Sequence, residues 1–157
     1  SGHASGDIGW APIMGVGYYK TLTHWSKGEY ANANQSQDDI QIIAYNNNNV
    51  GIRTDDHGNT RELASYLEIF SDDSVDSDGT ISTATDVDAF NFTTTGGQTT
   101  LSIDPESYGP NLDIYAALFN DQGTLIQSSN PDTRTDATLS TNLSAGNYTI
   151  KISGTGR

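Results

Sequence analysis

Sixteen of the 20 acidic residues are aspartates, and several stand at spacings that suit oxygen ligation of a hard cation. Asp55 and Asp56 open the pentapeptide DDHGN, Asp86 and Asp88 alternate in DVDAF, and Asp113 lies in NLDI. Ca²⁺ takes about six to eight oxygens at roughly 2.3–2.6 Å, from carboxylates and backbone carbonyls. Such oxygens converge where strand ends meet turns. Asp55, Asp56, Asp86, Asp88 and Asp113 are therefore the candidate Ca²⁺ ligands, with Asp86 and Asp88 on one side of a regular strand. The other reading is a set of solvated turn acids that keep the protein soluble. Ser74–Val–Asp76–Ser–Asp78–Gly79 approaches a calcium loop, with aspartates at alternate positions before a glycine. It is not an EF-hand, because it lacks the first aspartate and Thr85 stands where the bidentate glutamate belongs.

Other chemistries fit less well. A glycosidase needs two carboxyl groups about 5–9 Å apart in a cleft, one with a raised pKa, whereas these acids crowd turns. No G-x-S-x-G elbow is present to expose a nucleophilic serine. Cysteine is absent, which removes thiol catalysis and disulfides. Tyr108 in ESYGP and Tyr115, with Tyr66, form a candidate ligand platform: a flat ring covers the apolar face of a sugar while Asn and Asp bond its hydroxyls. The competing reading is that tyrosine is simply a good half-buried strand residue.

The chain has 157 residues and a formal charge of −13, from 7 basic and 20 acidic side chains. No basic stripe offsets that charge, so a nucleic-acid partner is excluded. The longest apolar stretches, 40–44 and 114–119, fall far short of the roughly 20 residues of a membrane-spanning helix. Acidity carried by Asp, together with abundant Asn, Gly, Ser and Thr, favours turns and strand ends over helices.

The elements that must position these residues follow from the hydrophobic pattern. Residues 10–19, WAPIMGVGYY, place Pro12, Gly15 and Gly17 among large apolar side chains, as a tight buried turn would. Gln35 to Tyr45 reads as a two-turn helix capped by Ser36, with Ile40, Ile43 and Ala44 on one face. Four consecutive asparagines, 46–49, then open a linker running to residue 59. Residues 61–70 are ambiguous between strand and helix. Beyond them apolar residues alternate: Phe90 with Phe92, Leu101 with Ile103, the Leu112–Leu118 series, Leu139, and Tyr148 with Ile150 and Ile152. Turn sequences at 120–123 and 144–147 separate them. The expected fold is all-β, an antiparallel sandwich or jelly roll of seven to eight strands, preceded by a loop-rich segment with one short helix.

Two stretches carry a resemblance. Trp10–Tyr19, followed by Trp25–Ser–Lys–Gly–Glu–Tyr30 and Asp38–Asp39–Ile40, resembles the tail of bacterial secreted metzincin-like zinc peptidases. The resemblance implies that Met14 is the methionine of the turn beneath the metal and that Tyr18 or Tyr19 lies near the zinc face. Residues 55–59, Asp86–Phe92 with its D-x-D-x-F-x-F pattern, Asn111–Ile114 and Leu143–Tyr148 look like the bacterial pre-peptidase C-terminal (PPC) domain, a β-sandwich attached to exported peptidases. Residues 1–45 would then be a remnant of the peptidase domain, 46–59 a linker and 60–157 the PPC-like sandwich. A metzincin needs H-E-x-x-H and a third histidine; this chain holds only His3, His24 and His57, with no His-Glu pair. The expectation is a non-catalytic, secreted accessory fragment ending at Arg157, with Ca²⁺ its own cofactor and zinc confined to the parent enzyme. Its partners would be the missing N-terminal peptidase domain, extracellular polysaccharide or protein, or copies of itself. The alternative is an extracellular carbohydrate- or protein-binding, self-assembling sandwich module.

Overall fold

A computed structural model describes residues 6–47 and 50–155. His3, half of the four-asparagine run and the end at Arg157 lie outside these residues. The chain divides into two compact units, residues 1–53 and 54–157. The boundary falls within the stretch read as a linker, but residues 54–59 belong structurally to the second unit.

In the first unit, a 3-10 turn at Gly6–Ile8 leads to β1 (Trp10–Pro12), which pairs in parallel with β2 (Leu22–His24). Ala11 and Leu22 are buried, and the Trp10 ring stacks on His24 at 5.4 Å and meets the edge of Tyr30 at 5.8 Å. Past β1, the rest of the segment expected to be a buried turn is instead largely exposed: Met14 is 80% and Tyr18 92% accessible. A parallel pair needs a crossover connection between its strands, and residues 13–21 serve as that connection, outside the ladder. The expected helix is also shorter and shifted. Asp38, not Ser36, is the N-cap, its carboxylate accepting from Gln41 N–H at 2.9 Å. Helix α1 (Asp39–Gln41) then widens into a π-helical stretch, Ile42–Asn47, with Ala44 buried and Ile40 exposed. Asp39 is held from both ends, its N–H donating to Ser26 O and its Oδ2 accepting from Ser26 N–H.

The second unit is all-β. Its strands are β3 (Ser65–Tyr66), β4 (Asp88–Thr94), β5 (Gly97–Ile103), β6 (Ile114–Asn120), β7 (Leu125–Ser129), β8 (Ala137–Leu143) and β9 (Gly146–Gly154). One sheet has the order β3-β4-β9-β6-β7; β5 and β8 form a second, two-stranded sheet. All pairs are antiparallel except β3 with β4, which is parallel and only two residues long. Residues 61–70 thus resolve into a turn and a short edge strand.

The alternation read from the sequence faces the core as expected. Phe90, Phe92, Ile114, Ala116, Leu118, Tyr148 and Ile150 of the larger sheet pack with Ala137, Leu139 and Leu143 of the smaller one. Turn chemistry fixes the hairpins. Asn120 Oδ1 accepts from the N–H groups of Gln122 and Thr124, and Gly123 takes φ +75°, where a side chain is strained. The Tyr148 hydroxyl donates to Ser144 O at 2.9 Å and braces the turn into β9.

One feature runs against simple alternation. Ala89, Ala117 and Thr149 point away from the core yet are buried. Residues 58–61 tie onto this face: Ala89 N–H donates to Gly58 O, the Asn91 amide donates to Arg61 O, and the Arg61 guanidinium reaches Asp121. The last part of the expected linker, residues 54–59, is a strap.

Candidate metal centre

The strap and the start of β4 meet at three carboxylates. Asp55, Asp56 and Asp88 each offer an oxygen, and these oxygens all lie within 4.8 Å of one another. Oxygens shared by one ion at about 2.3–2.6 Å can be no more than roughly 4.6–5.2 Å apart, so the spacing fits a common Ca²⁺. Two of the acids are exposed, whereas Asp88 is only 2% accessible. It stands at the first position of β4, where pairing with Ile152 of β9 holds it against the sandwich.

The surrounding bonds orient the exposed pair and leave Asp88 wanting. Asp56 Oδ1 accepts from Thr80 N–H at 3.2 Å, and Asp55 Oδ1 from His57 N–H at 3.2 Å. The Asn59 amide, in the orientation that suits its neighbours, donates to Asp55 Oδ2 at 3.1 Å and to Val87 O at 3.2 Å. Asp88 Oδ1, by contrast, is buried without any hydrogen-bond partner. Burial pushes the Asp88 carboxyl up to about 6, helped by the negative charge of Asp56 and less by Asp86 and Asp55, against an opposing pull from His57. An orphaned buried carboxylate among like charges is costly unless a cation joins them.

His57 is not a further ligand, because both ring nitrogens are engaged. Nε2 lies 2.8 Å from Asp78 O, a pure acceptor, so Nε2 carries a proton; Nδ1 lies 2.7 Å from Ser65 Oγ. The ring packs 4.5 Å from that of Phe90. His57 therefore fastens the 78–80 segment beside the acids. Gly79 completes the wall: a Cβ there would fall 2.4 Å from Asp88 Oδ2 and 3.1 Å from His57 Cδ2.

The five candidate aspartates do not converge as one set. Asp86 is buried, but it precedes β4, and its Oδ2 accepts from Ser82 N–H at 2.6 Å and Ser82 Oγ at 2.9 Å. The regular-strand argument that paired Asp86 with Asp88 fails because the strand begins only at Asp88. Asp113, also buried, precedes β6 and has its carbonyl and Oδ2 bonded by the N–H and hydroxyl of Thr155, while its Oδ1, like that of Asp88, has no partner; what sets it apart is that no second or third carboxylate joins it. Among the described residues, only Asp55, Asp56 and Asp88 form a cluster of three or more such acids. Aspartate spacing by itself gives no sign of His57, Thr80 or Ser82 beside the site. The Asp78-Gly79 step was the available signal, yet it contributes a carbonyl and a missing side chain, not its carboxylate.

The other candidates stand apart from this cluster. Tyr108 is 99% exposed in the loop before β6, its N–H bonded to Glu106 Oε1, whereas Tyr115 is half-buried within β6. In the first unit a cleft of about 340 Å³ is bordered by Pro12, Met14, Trp25, Tyr30, Asp39 and Ile43 among others. Its one carboxylate, Asp39, is already bound to Ser26. No protein-family model matches the chain, and no curated protein matches it.

Proposed function

We propose that this chain is a non-catalytic accessory module of an exported bacterial zinc peptidase, whose β-sandwich is fastened by Ca²⁺ at Asp55, Asp56 and Asp88. The metal reading rests on one observation above all: Asp88 is buried, its Oδ1 has no partner, and two more carboxylate oxygens lie within 4.8 Å. Oxygen-only ligands of this charge suit Ca²⁺ far better than zinc, which prefers nitrogen and sulfur. When bound, the ion would supply charge neutralisation, and the protein's part is positional. Asp88 anchors the strand, while Asp55 and Asp56 anchor the strap that crosses the outer face at Ala89 and Asn91. Joining them ties residues 54–61 to the sheet.

The association with a peptidase is supported by the resemblance of residues 10–40 and of the D-x-D-x-F-x-F pattern at 86–92. An accessory role agrees with a chain that carries no His-Glu pair. In this reading the sandwich aids export, stability or substrate tethering. The near-complete exposure of Tyr108 favours a second reading, a binding module for extracellular carbohydrate or protein.

A thermal melt in EDTA, in millimolar Ca²⁺ and in Zn²⁺ tests the proposal. Ca²⁺ should raise Tm by several degrees, since about 1 kcal/mol of linkage moves Tm roughly 4–8 °C in a domain of this size. No shift would overturn the metal reading. Cleavage of a peptide substrate by the chain with Zn²⁺ would overturn the non-catalytic one. Retention on insoluble polysaccharide, lost in Tyr108→Ala, would favour the second reading.

A further inference from the structure

The unit contains four strands with an edge outside a ladder, β3 and β7 in the larger sheet and β5 and β8 in the smaller, and they are not alike. The edge strand β3 is two residues long. The edge strand β7 has five residues, and its ladder with β6 is interrupted by a register shift between Leu118 and Phe119. Short strands and bulges are the usual means by which proteins keep edges from pairing with other chains, along with charged residues and proline. Strand β5 has none of these. It runs seven residues, Gly97–Ile103, in unbroken register with β8, and its sequence GQTTLSI holds no charge and no proline. Its partner β8 is flanked on the far side by β7, where Thr138 N–H donates to Ser129 Oγ. Among the described residues, the other side of β5 has no ladder partner.

The side chains indicate the same opening. Leu101 and Ile103 pack against the core but stay half exposed, while their ladder partners Leu139 and Ala137 are buried. A strand laid beside β5 would cover them.

We propose that the β5 edge pairs with β5 of a second copy of this chain, antiparallel and centred on Thr100, to give a continuous four-stranded sheet. The edge is self-complementary in that register. Gln98 faces Ser102, amide to hydroxyl, on the polar side; Thr99 faces Leu101, and Gly97 faces Ile103, on the apolar side. Charge selects the occupant and the direction. A protein of net charge −13 resists meeting its own copy except through a neutral surface, and β5 is neutral along its whole length. The nearest acid, Asp104, falls opposite Gly96 of the other copy, which puts the two Asp104 side chains about eight residues, or roughly 26 Å, apart along the strand. That exceeds the Debye length of about 8 Å at physiological salt, whereas a parallel in-register pair would set Asp104 against Asp104.

Sedimentation equilibrium over a concentration series, at two ionic strengths, tests the pairing. The wild-type chain should pass from monomer to dimer, more readily at higher salt. Thr100→Lys and, as a second variant, Ser102→Lys should weaken the dimer about tenfold or more with an unchanged melt, because a lysine on a strand edge blocks pairing. Leu125→Lys on β7 should leave it intact. A wild-type chain that stays monomeric into the millimolar range overturns the proposal. So does a dimer that survives in both folded β5 variants, or one lost equally in Leu125→Lys, which would move the interface to β7.

Discussion

Asp88 and Gly79 are fitted to each other: the carboxylate of the first occupies the space that a side chain on the second would need. An ideal Cβ on Gly79 lies 2.4 Å from Asp88 Oδ2, closer than real atoms approach. Asp88 is buried at the start of β4, so the space around its carboxylate is confined. Gly79→Ala should therefore displace the carboxylate or the 78–80 segment. The expected cost is about 1–3 kcal/mol in the range of overpacking changes, together with a reduced Tm response to Ca²⁺. A melt of the variant in EDTA and in Ca²⁺ reads both effects. A stability equal to wild type would mean that the 78–80 segment yields freely.

Asp88→Asn separates a cation ligand from an ordinary buried acid. The amide keeps the shape, removes the buried charge and adds a donor that faces Asp55 and Asp56. In EDTA at pH 8 the variant should melt above the wild type. In Ca²⁺ it should show no further rise. A variant that melts lower than wild type in EDTA would show that the carboxylate is satisfied in the metal-free protein.

The pH dependence of the metal-free protein has a definite sign. The folded carboxyl of Asp88 sits at about 6, above the ordinary value of an unfolded aspartate. Between about pH 4 and 6 the native state then holds a proton that the unfolded chain has released, so stability falls as pH rises through that window. Stability contributed by the protonated form is fully present below it. The difference in Tm between wild type and Asp88→Asn, measured in EDTA from pH 4 to 8, isolates this group. Wild type should lose ground to the variant as pH increases; a constant difference would contradict the shift.

Leu118 is fully buried at the middle of β6, paired across to Ile150 and Gln127. Leu118→Ala should cost about 2–5 kcal/mol, the range for a large-to-small change in a packed core. Denaturant unfolding should show a lower midpoint. Arg61→Ala makes a useful contrast: the Arg61–Asp121 pair is partly exposed on both sides, so its loss should cost less than about 1 kcal/mol.

Period-two patterning made the strands legible. Phe90 with Phe92, and Ile114 with Ala116 and Leu118, face the core because a strand turns alternate residues to one side, and water penalises the wrong choice at each step. Composition also gave the chemistry of the site, since Asp-rich turns supply oxygens and little else. Local sequence could not say which aspartates would meet. Asp88 joins Asp55 and Asp56 because residues 54–61 fold back along the outer face of the larger sheet, while Ser82 and Thr155 claim Asp86 and Asp113. The same return of the chain buries Ala89 against expectation. Exposure of Met14 and Tyr18 was equally hidden, because apolar residues read as core until the parallel pairing of β1 with β2 leaves their connection outside the ladder. Residue type and alternation are properties of neighbours in sequence, so the chain states them directly. Convergence of carboxylates, an open strand edge and the burial of an outer face depend on contacts between residues tens of positions apart, and those exist only once the sheet has chosen its register.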